Sequence, residues 1–383
     1  AETKTVDKAN LRVKSFLRNR QAQYITMLKN LVDTNTHVRN VEGVNQISTT
    51  MKKHLSEIGF SFQIILQAEV GNFHFYTNSD EGDYDILLIG NIDSSVSIAN
   101  TRYFEEGEQK IFGTGVWHNK GGLVVLIAAL QALKSIKMLS KRKIGILLTT
   151  DSAIKNKISA SLIRKMADDA KYVLGLTGAF LDGGIVTSRS GAASYDISMN
   201  LVNNESELHV TDAAKLFSKL SSNLIALSDP ENGIIVTPSN MNFNSNLLNI
   251  YAHGKINLSI RFKHLEQIEE IESKIMKFIP KRYSKILDTY ISIGNKRPVM
   301  ERTERVEAFW NMIKDVANTL DIRLREEHRW SSSDICFVTE NKFKLDGIGP
   351  IGTQDENKQE FILKYSLIER SALLAMLIYR LEK

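Results

Sequence analysis

Cysteine is almost absent from this 383-residue chain, with Cys336 alone, and there are only five prolines. One thiol cannot close an intrachain disulfide, so the sequence neither signals nor excludes an oxidising compartment. Cys336 sits between Ile335 and Phe337 and reads as a small buried hydrophobe rather than a nucleophile. So few prolines exclude a long proline-rich linker. No apolar run approaches the roughly 18 residues that a membrane-crossing helix needs. Charge of one sign is also scarce, at a net +5 over the whole chain. The densest basic stretch, Lys137 to Lys143, includes Met138 and Leu139 and reads as a solvated loop. No basic run carries interleaved aromatics, which argues against nucleic acid as a partner, and nothing points to a membrane. The chain opens on Ala1 instead of Met, as expected if a leader was removed. A soluble protein is expected, cytoplasmic, or periplasmic or secreted if that leader was a signal peptide.

What is present is a length sufficient for two domains and a composition, 43% hydrophobic and 24% charged, typical of globular chains. Helix periodicity runs over 7–31 and 45–58. Short continuous apolar runs at Tyr84–Ile89 and Lys143–Thr150 read as strands buried on both faces, with a long apolar helix over 121–139 between them. A helix at 157–170 and a strand at 171–176 continue the alternation. Strands alternating with helices predict an α/β layer fold with a mostly parallel central sheet flanked by helices.

The pattern changes near 192. Strands at 194–202, 233–236, 249–262 and 286–293, with helices at 211–227 and 265–279, follow the order βαββαβ of a ferredoxin-like unit. After Pro298 the first pattern returns, with a helix at 304–320, a strand near 321–327 and a last helix at 366–380. The expected organisation is an α/β domain over 1–191 and 300–383, interrupted by an inserted domain over 192–299.

In open α/β sheets, sites form beyond the carboxyl ends of the strands. Four such ends carry polar clusters: Asn91-Ile92-Asp93, the glycine-rich Gly113 to Gly122, Asp151-Ser152-Ala153, and Asp346 to Gly352 followed by Asp355-Glu356. The glycine run lacks the spacing of a phosphate-binding loop. Gly121 and Gly122 read as packing devices that let a helix approach the sheet.

With these motifs the chain resembles the zinc aminoacylase and carboxypeptidase family, and most of all glutamate carboxypeptidase (carboxypeptidase G). Gly113, Gly115, Lys120, Gly121 and Gly122 fit the family's Gly-x-Gly-x-x-Asp-x-Lys-Gly-Gly, and Ser333-Asp334 fits its Gly-Gly-Ser-Asp-Ala. The turn at Asp346–Gly352 fits the one before its last histidine, and the inserted domain fits its lid. The resemblance implies a centre of two zinc ions about 3.5–4 Å apart. At the family's metal positions this chain has Asn91, His118, Ala153, Thr177 and Glu356, and at the position of the general base it has Ser152. Only His118 and Glu356 are zinc-ligand types. Asp93, which in the family orients a ligand histidine, is retained. The lid residues that the resemblance implies for gripping a substrate carboxylate are Arg261, Arg297 and Asn246.

The resemblance therefore leads to an expected pseudoenzyme: a homologue without two-zinc hydrolysis or a resident cofactor that binds a carboxylate-bearing peptide or N-acyl amino acid. One alternative is an active hydrolase with a rearranged site, in which His118 and Glu356, with Asp93 and Asp151, hold a single divalent ion such as zinc. Another is a structural or interaction protein that forms a homodimer through the lid. Asp93 also has a plain reading as a loop cap, His118 as a polar residue, and the two arginines as partners of nearby acids.

Overall fold

The computed structural model describes residues 2–202, 207–278, 286–355, 357 and 359–382. The chain divides into two compact units, one of residues 1–187, 302–327 and 333–383, the other of 188–301 with 328–332.

The first unit is built on a six-stranded sheet in the spatial order Ser61–Ile65, Phe73–Thr77, Ile144–Thr149, Tyr84–Asn91, Ala170–Gly175, Phe343–Leu345. Phe73–Thr77 runs antiparallel to both of its neighbours, and the remaining pairings are parallel. Every residue of Ile144–Thr149 is buried, which accounts for an unbroken apolar strand covered on both faces. The helix Lys120–Ser135 is apolar almost all round and buried along most of its length, and it packs against the equally buried Lys364–Arg380. The expected single helix at 7–31 is two, Glu2–Asn19 and Gln21–Val32, broken at Arg20. The strand expected near 321–327 begins only at Glu326, because Asp321 turns through a left-handed conformation (φ 59°) that ends the preceding helix. A small sheet of Gly352–Gln354, Glu360–Leu363, Lys110–Phe112 and Glu105–Glu106 had no sequence signal; its strands are too short to show a period.

The second unit contains the βαββαβ order read from the sequence. Its antiparallel sheet runs Ile235–Asn246, Tyr251–Phe262, Gly191–Leu201, Leu287–Arg297, with helices Glu207–Ile225 and Leu265–Lys277. Tyr195, Ile197, Met199, Ile256, Leu258 and Ile260 point into one core with these helices, while alternate residues stay on the open face. The strand expected at 233–236 extends to Asn246. Asparagine disfavours strands, yet pairing with Tyr251–Phe262 overrides that preference. Residues 328–332 join this unit through His328, whose ring bonds Ser188 Oγ (2.7 Å) and Ser190 Oγ (2.9 Å).

Candidate active site

The strand Tyr84–Asn91 delivers Asn91 and Asp93 to the carboxyl end of the sheet. Asp93 is 1% exposed. Its Oδ1 accepts from the backbone N–H of Ser152 (3.2 Å) and its Oδ2 from that of Ala153 (2.7 Å). These are the first residues of a short 3-10 helix, Ser152–Ile154, whose early N–H groups have no partner within the helix. Asp93 thus caps the segment of Ser152 and Ala153, the residues that the resemblance sets at the positions of the general base and of a metal ligand. Asn91 Nδ2 donates to the carbonyl (3.1 Å) and carboxylate (3.3 Å) of Asp93, and Asn119 Nδ2 donates to the carbonyls of Asn91 (3.2 Å) and Asp93 (3.0 Å). Burial pushes the Asp93 acid up to about 6; the nearby Asp334 adds to this, while the bonds from Ala153, Asn91 and Ser152 pull it down.

The neighbouring carboxylates have similar structural duties. Asp151 is buried and accepts from the N–H of Ile158 and of Ser159 (both 2.9 Å) and from Ser159 Oγ (2.6 Å). Asp334 accepts from Thr149 Oγ1 and from Asn156 Nδ2. Asp346 accepts from Thr177 Oγ1 (2.7 Å), Ser333 Oγ (2.8 Å) and the N–H of Gly347 (2.8 Å).

The glycine-rich loop is held from elsewhere. Glu360 is buried and accepts from the N–H groups of Gly115 and His118. Gly115 lies at φ 82°, where a side chain would be strained. Gly122 lets the helix touch the sheet, since a Cβ there would lie 1.9 Å from the Leu176 carbonyl oxygen. Lys120 is buried and donates to the Thr34 carbonyl (2.8 Å); burial pushes its amine down to about 8, against the raising influence of Glu360 and Asp33. The His118 ring is exposed and rests edge-on near Trp117.

The structure therefore brings Asn91, Asp93, Ser152 and Ala153 together and places Thr177 on Asp346. Glu356 lies outside the described residues. Among the described residues no group of three or more His, Cys, Asp or Glu side chains is placed to hold a metal ion. At three of the positions that the resemblance gives to metal ligands, an amide (Asn91), a methyl (Ala153) and a hydroxyl (Thr177) do not fit a two-metal centre, which needs anionic or imidazole donors. The carboxylates nearby each already accept at least two hydrogen bonds. Sequence reasoning missed Glu360, which belongs to no motif, and Asn119, which stands at an unspecified place of the glycine-rich motif, and read Ser333-Asp334 only as a fold marker.

In the second unit, Arg261 and Arg297 stand opposite the same residue, Ala192, from the two strands that flank it. Directly paired residues share a face, so both arginines lie on the open face, about 10 Å apart by two strand spacings. Arg261 is exposed and Arg297 half-buried. The Asn246 side-chain oxygen accepts from the N–H groups of Leu248 (2.9 Å) and Asn249 (3.2 Å), fixing the turn between two strands.

No family model matches the chain. Carboxypeptidase G2 of Pseudomonas sp. (strain RS-16) is 27% identical over 159 residues, a match spanning 40% of this chain and 38% of that enzyme. Among solved structures, the aminopeptidase PepT of Bacillus cereus superposes with a TM-score of 0.77 at 14% identity, covering 95% of this chain and 99% of its own. A dinuclear metal-binding peptidase of the M20 family from Bacillus subtilis gives 0.69 at 11% identity, covering 94% and 98%. No helix of the described residues is long and apolar enough to cross a membrane. The chain has the fold of the M20 metallopeptidases.

Proposed function

We propose that this protein is an M20-fold binding protein that recognises a peptide or N-acyl amino acid by its free carboxylate and has lost two-metal hydrolysis. The observation that carries the reading is the commitment of Asp93 to the N–H groups of Ser152 and Ala153. In the family pattern this carboxylate orients a metal-bound histidine, and here it caps a helix that carries neither the general base nor the next ligand. A general base alone contributes about 10²–10⁴-fold in rate, so its loss together with the ligands removes the usual route.

The ligand class rests on two supports. The relatives are named as peptidases and a carboxypeptidase. The pair Arg261 and Arg297 offers two guanidinium groups on one face, suited to a carboxylate. No specific observation favours a rearranged metal site, because His118 is exposed and Asp93 and Asp151 are engaged elsewhere.

The test is calorimetric titration with a set of N-acyl amino acids and dipeptides beside their C-terminal amides, followed by chromatography after long incubation with added zinc. The expected result is carboxylate-dependent binding with the ligand recovered intact. Turnover of any of them, abolished by a chelator and restored by zinc, overturns the loss of hydrolysis; equal binding of acid and amide overturns the ligand class.

A further inference from the structure

At the amino end of the strand Ala170–Gly175, away from the site above, the first unit has a pocket of about 380 Å³. Tyr172, Phe343 and Met312 give it an apolar floor, and Lys171, Arg380 and Asp315 give it charges of both signs. The rings of Tyr172 and Phe343 lie 5.2 Å apart, and Phe343 is only half-buried, leaving part of an aromatic surface uncovered.

Lys171 Nζ donates to the Glu382 carbonyl (3.4 Å) and lies over the Tyr172 ring, whereas the Arg380 and Asp315 side chains have no counterpart among the described residues. The Arg380 side chain makes no hydrogen bond or ion pair with any described residue, and its Nη1 is buried without an acceptor. Arg142 lies close by: its Nη2 donates to the carbonyl of Tyr379 (2.9 Å), while its Nε and Nη1 are buried without acceptors. Asp315, which also lines the pocket, has no hydrogen-bond or ion-pair partner among the described residues. Glu382 adds a second acid at the rim, and its charge and that of Arg142 both act on the Tyr172 hydroxyl. A buried donor without an acceptor is costly, so Arg380, which lines the pocket, calls for an incoming acceptor. A simple anion would satisfy the guanidinium groups but face Asp315 and Glu382, and a simple cation would face Arg380 and Lys171. A molecule that carries a cationic and an anionic group on one carbon, with an apolar body, meets neither penalty.

We propose that this pocket binds a free amino acid with an aromatic or large apolar side chain, its carboxylate at Arg380, its ammonium at Asp315 and its side chain on Phe343. The site is separate from the strand-end residues and the arginine pair, and stands or falls apart from their function.

The test is titration calorimetry with L-phenylalanine on the full chain carrying Arg261→Ala and Arg297→Ala, so that those arginines do not contribute. L-phenylalaninamide and 3-phenylpropionate, which lack the carboxylate and the ammonium, are the comparison ligands, and Arg380→Gln and Asp315→Asn the variants. Asp315 is exposed, so Asp315→Asn tests the proposal even if Arg380→Gln fails to fold. L-phenylalanine is expected to bind, and each truncated ligand and each folded variant to weaken binding about tenfold or more. No binding of L-phenylalanine, equal binding of 3-phenylpropionate, or binding unaffected by Asp315→Asn overturns it.

Discussion

Oδ2 of Asp93 accepts a 2.7 Å hydrogen bond from the backbone N–H of Ala153, so a carboxylate placed for metal chemistry in the family pattern serves here as a helix cap. Asp93→Ala leaves the N–H groups of Ser152 and Ala153 without an acceptor in a closely packed place. A loss of about 2–4 kcal/mol in urea unfolding is expected, from roughly 1–3 kcal/mol per unsatisfied group. Asp93→Asn keeps one acceptor and is expected to lose less. An alanine variant as stable as the parent would remove the capping role.

Arg261 and Arg297, facing each other across Ala192, form the second prediction. Arg261→Ala is expected to weaken binding of a carboxylate-bearing peptide about tenfold or more, in line with a charge-assisted hydrogen bond. Because Arg261 is exposed, its removal is expected to change stability by less than about 0.5 kcal/mol. The same affinity should fall with added salt. Unchanged affinity in both single arginine variants would remove the carboxylate grip.

Gly122→Ala tests the contact between the helix Lys120–Ser135 and the strand end. A Cβ at 1.9 Å from a main-chain oxygen cannot be relieved by a side-chain rotation, so the backbone must move. A destabilisation of about 1–3 kcal/mol or more is expected in thermal or urea unfolding, despite alanine's better helix propensity.

His74 supplies a pH dependence. It is buried beside Tyr76, whose hydroxyl lies 3.1 Å from His74 Nδ1, and burial, with a smaller part from Lys52, pushes the imidazole down to about 4. A folded-state value below the ordinary 6.5 means the neutral ring is favoured by folding. The stability this gives is complete above about 6.5 and is lost as the pH falls towards 4. Unfolding free energy measured against pH should therefore drop less steeply in this window for His74→Gln than for the parent chain. Parallel curves would show that His74 does not contribute to the acid limb.

The strand-end residues were readable because the motifs that carry the resemblance sit in continuous stretches. Asn91, Ser152, Ala153 and Thr177 are each identified by the strand they follow, and their side-chain chemistry is a property of residue type alone. Their partners were not readable. Glu360 lies over 240 residues from the N–H groups it holds, and Thr149 is 185 residues from Asp334. Residues so far apart leave no periodicity or spacing by which either could be found from the other.

The amino-acid sequence by itself determined the alternation of buried strands and helices, the βαββαβ insertion, and the residue types that stand at the strand ends. These follow from side-chain hydrophobicity, periodicity and donor type, which are local. Only the tertiary structure decided that the Asp93 carboxylate is occupied by backbone N–H groups, that two arginines 36 positions apart share one face across Ala192, and that a pocket lined by charges of both signs forms where the last helix ends. Hydrogen bonds and paired charges depend on atoms within about 3–4 Å in space, and chain order does not encode that distance.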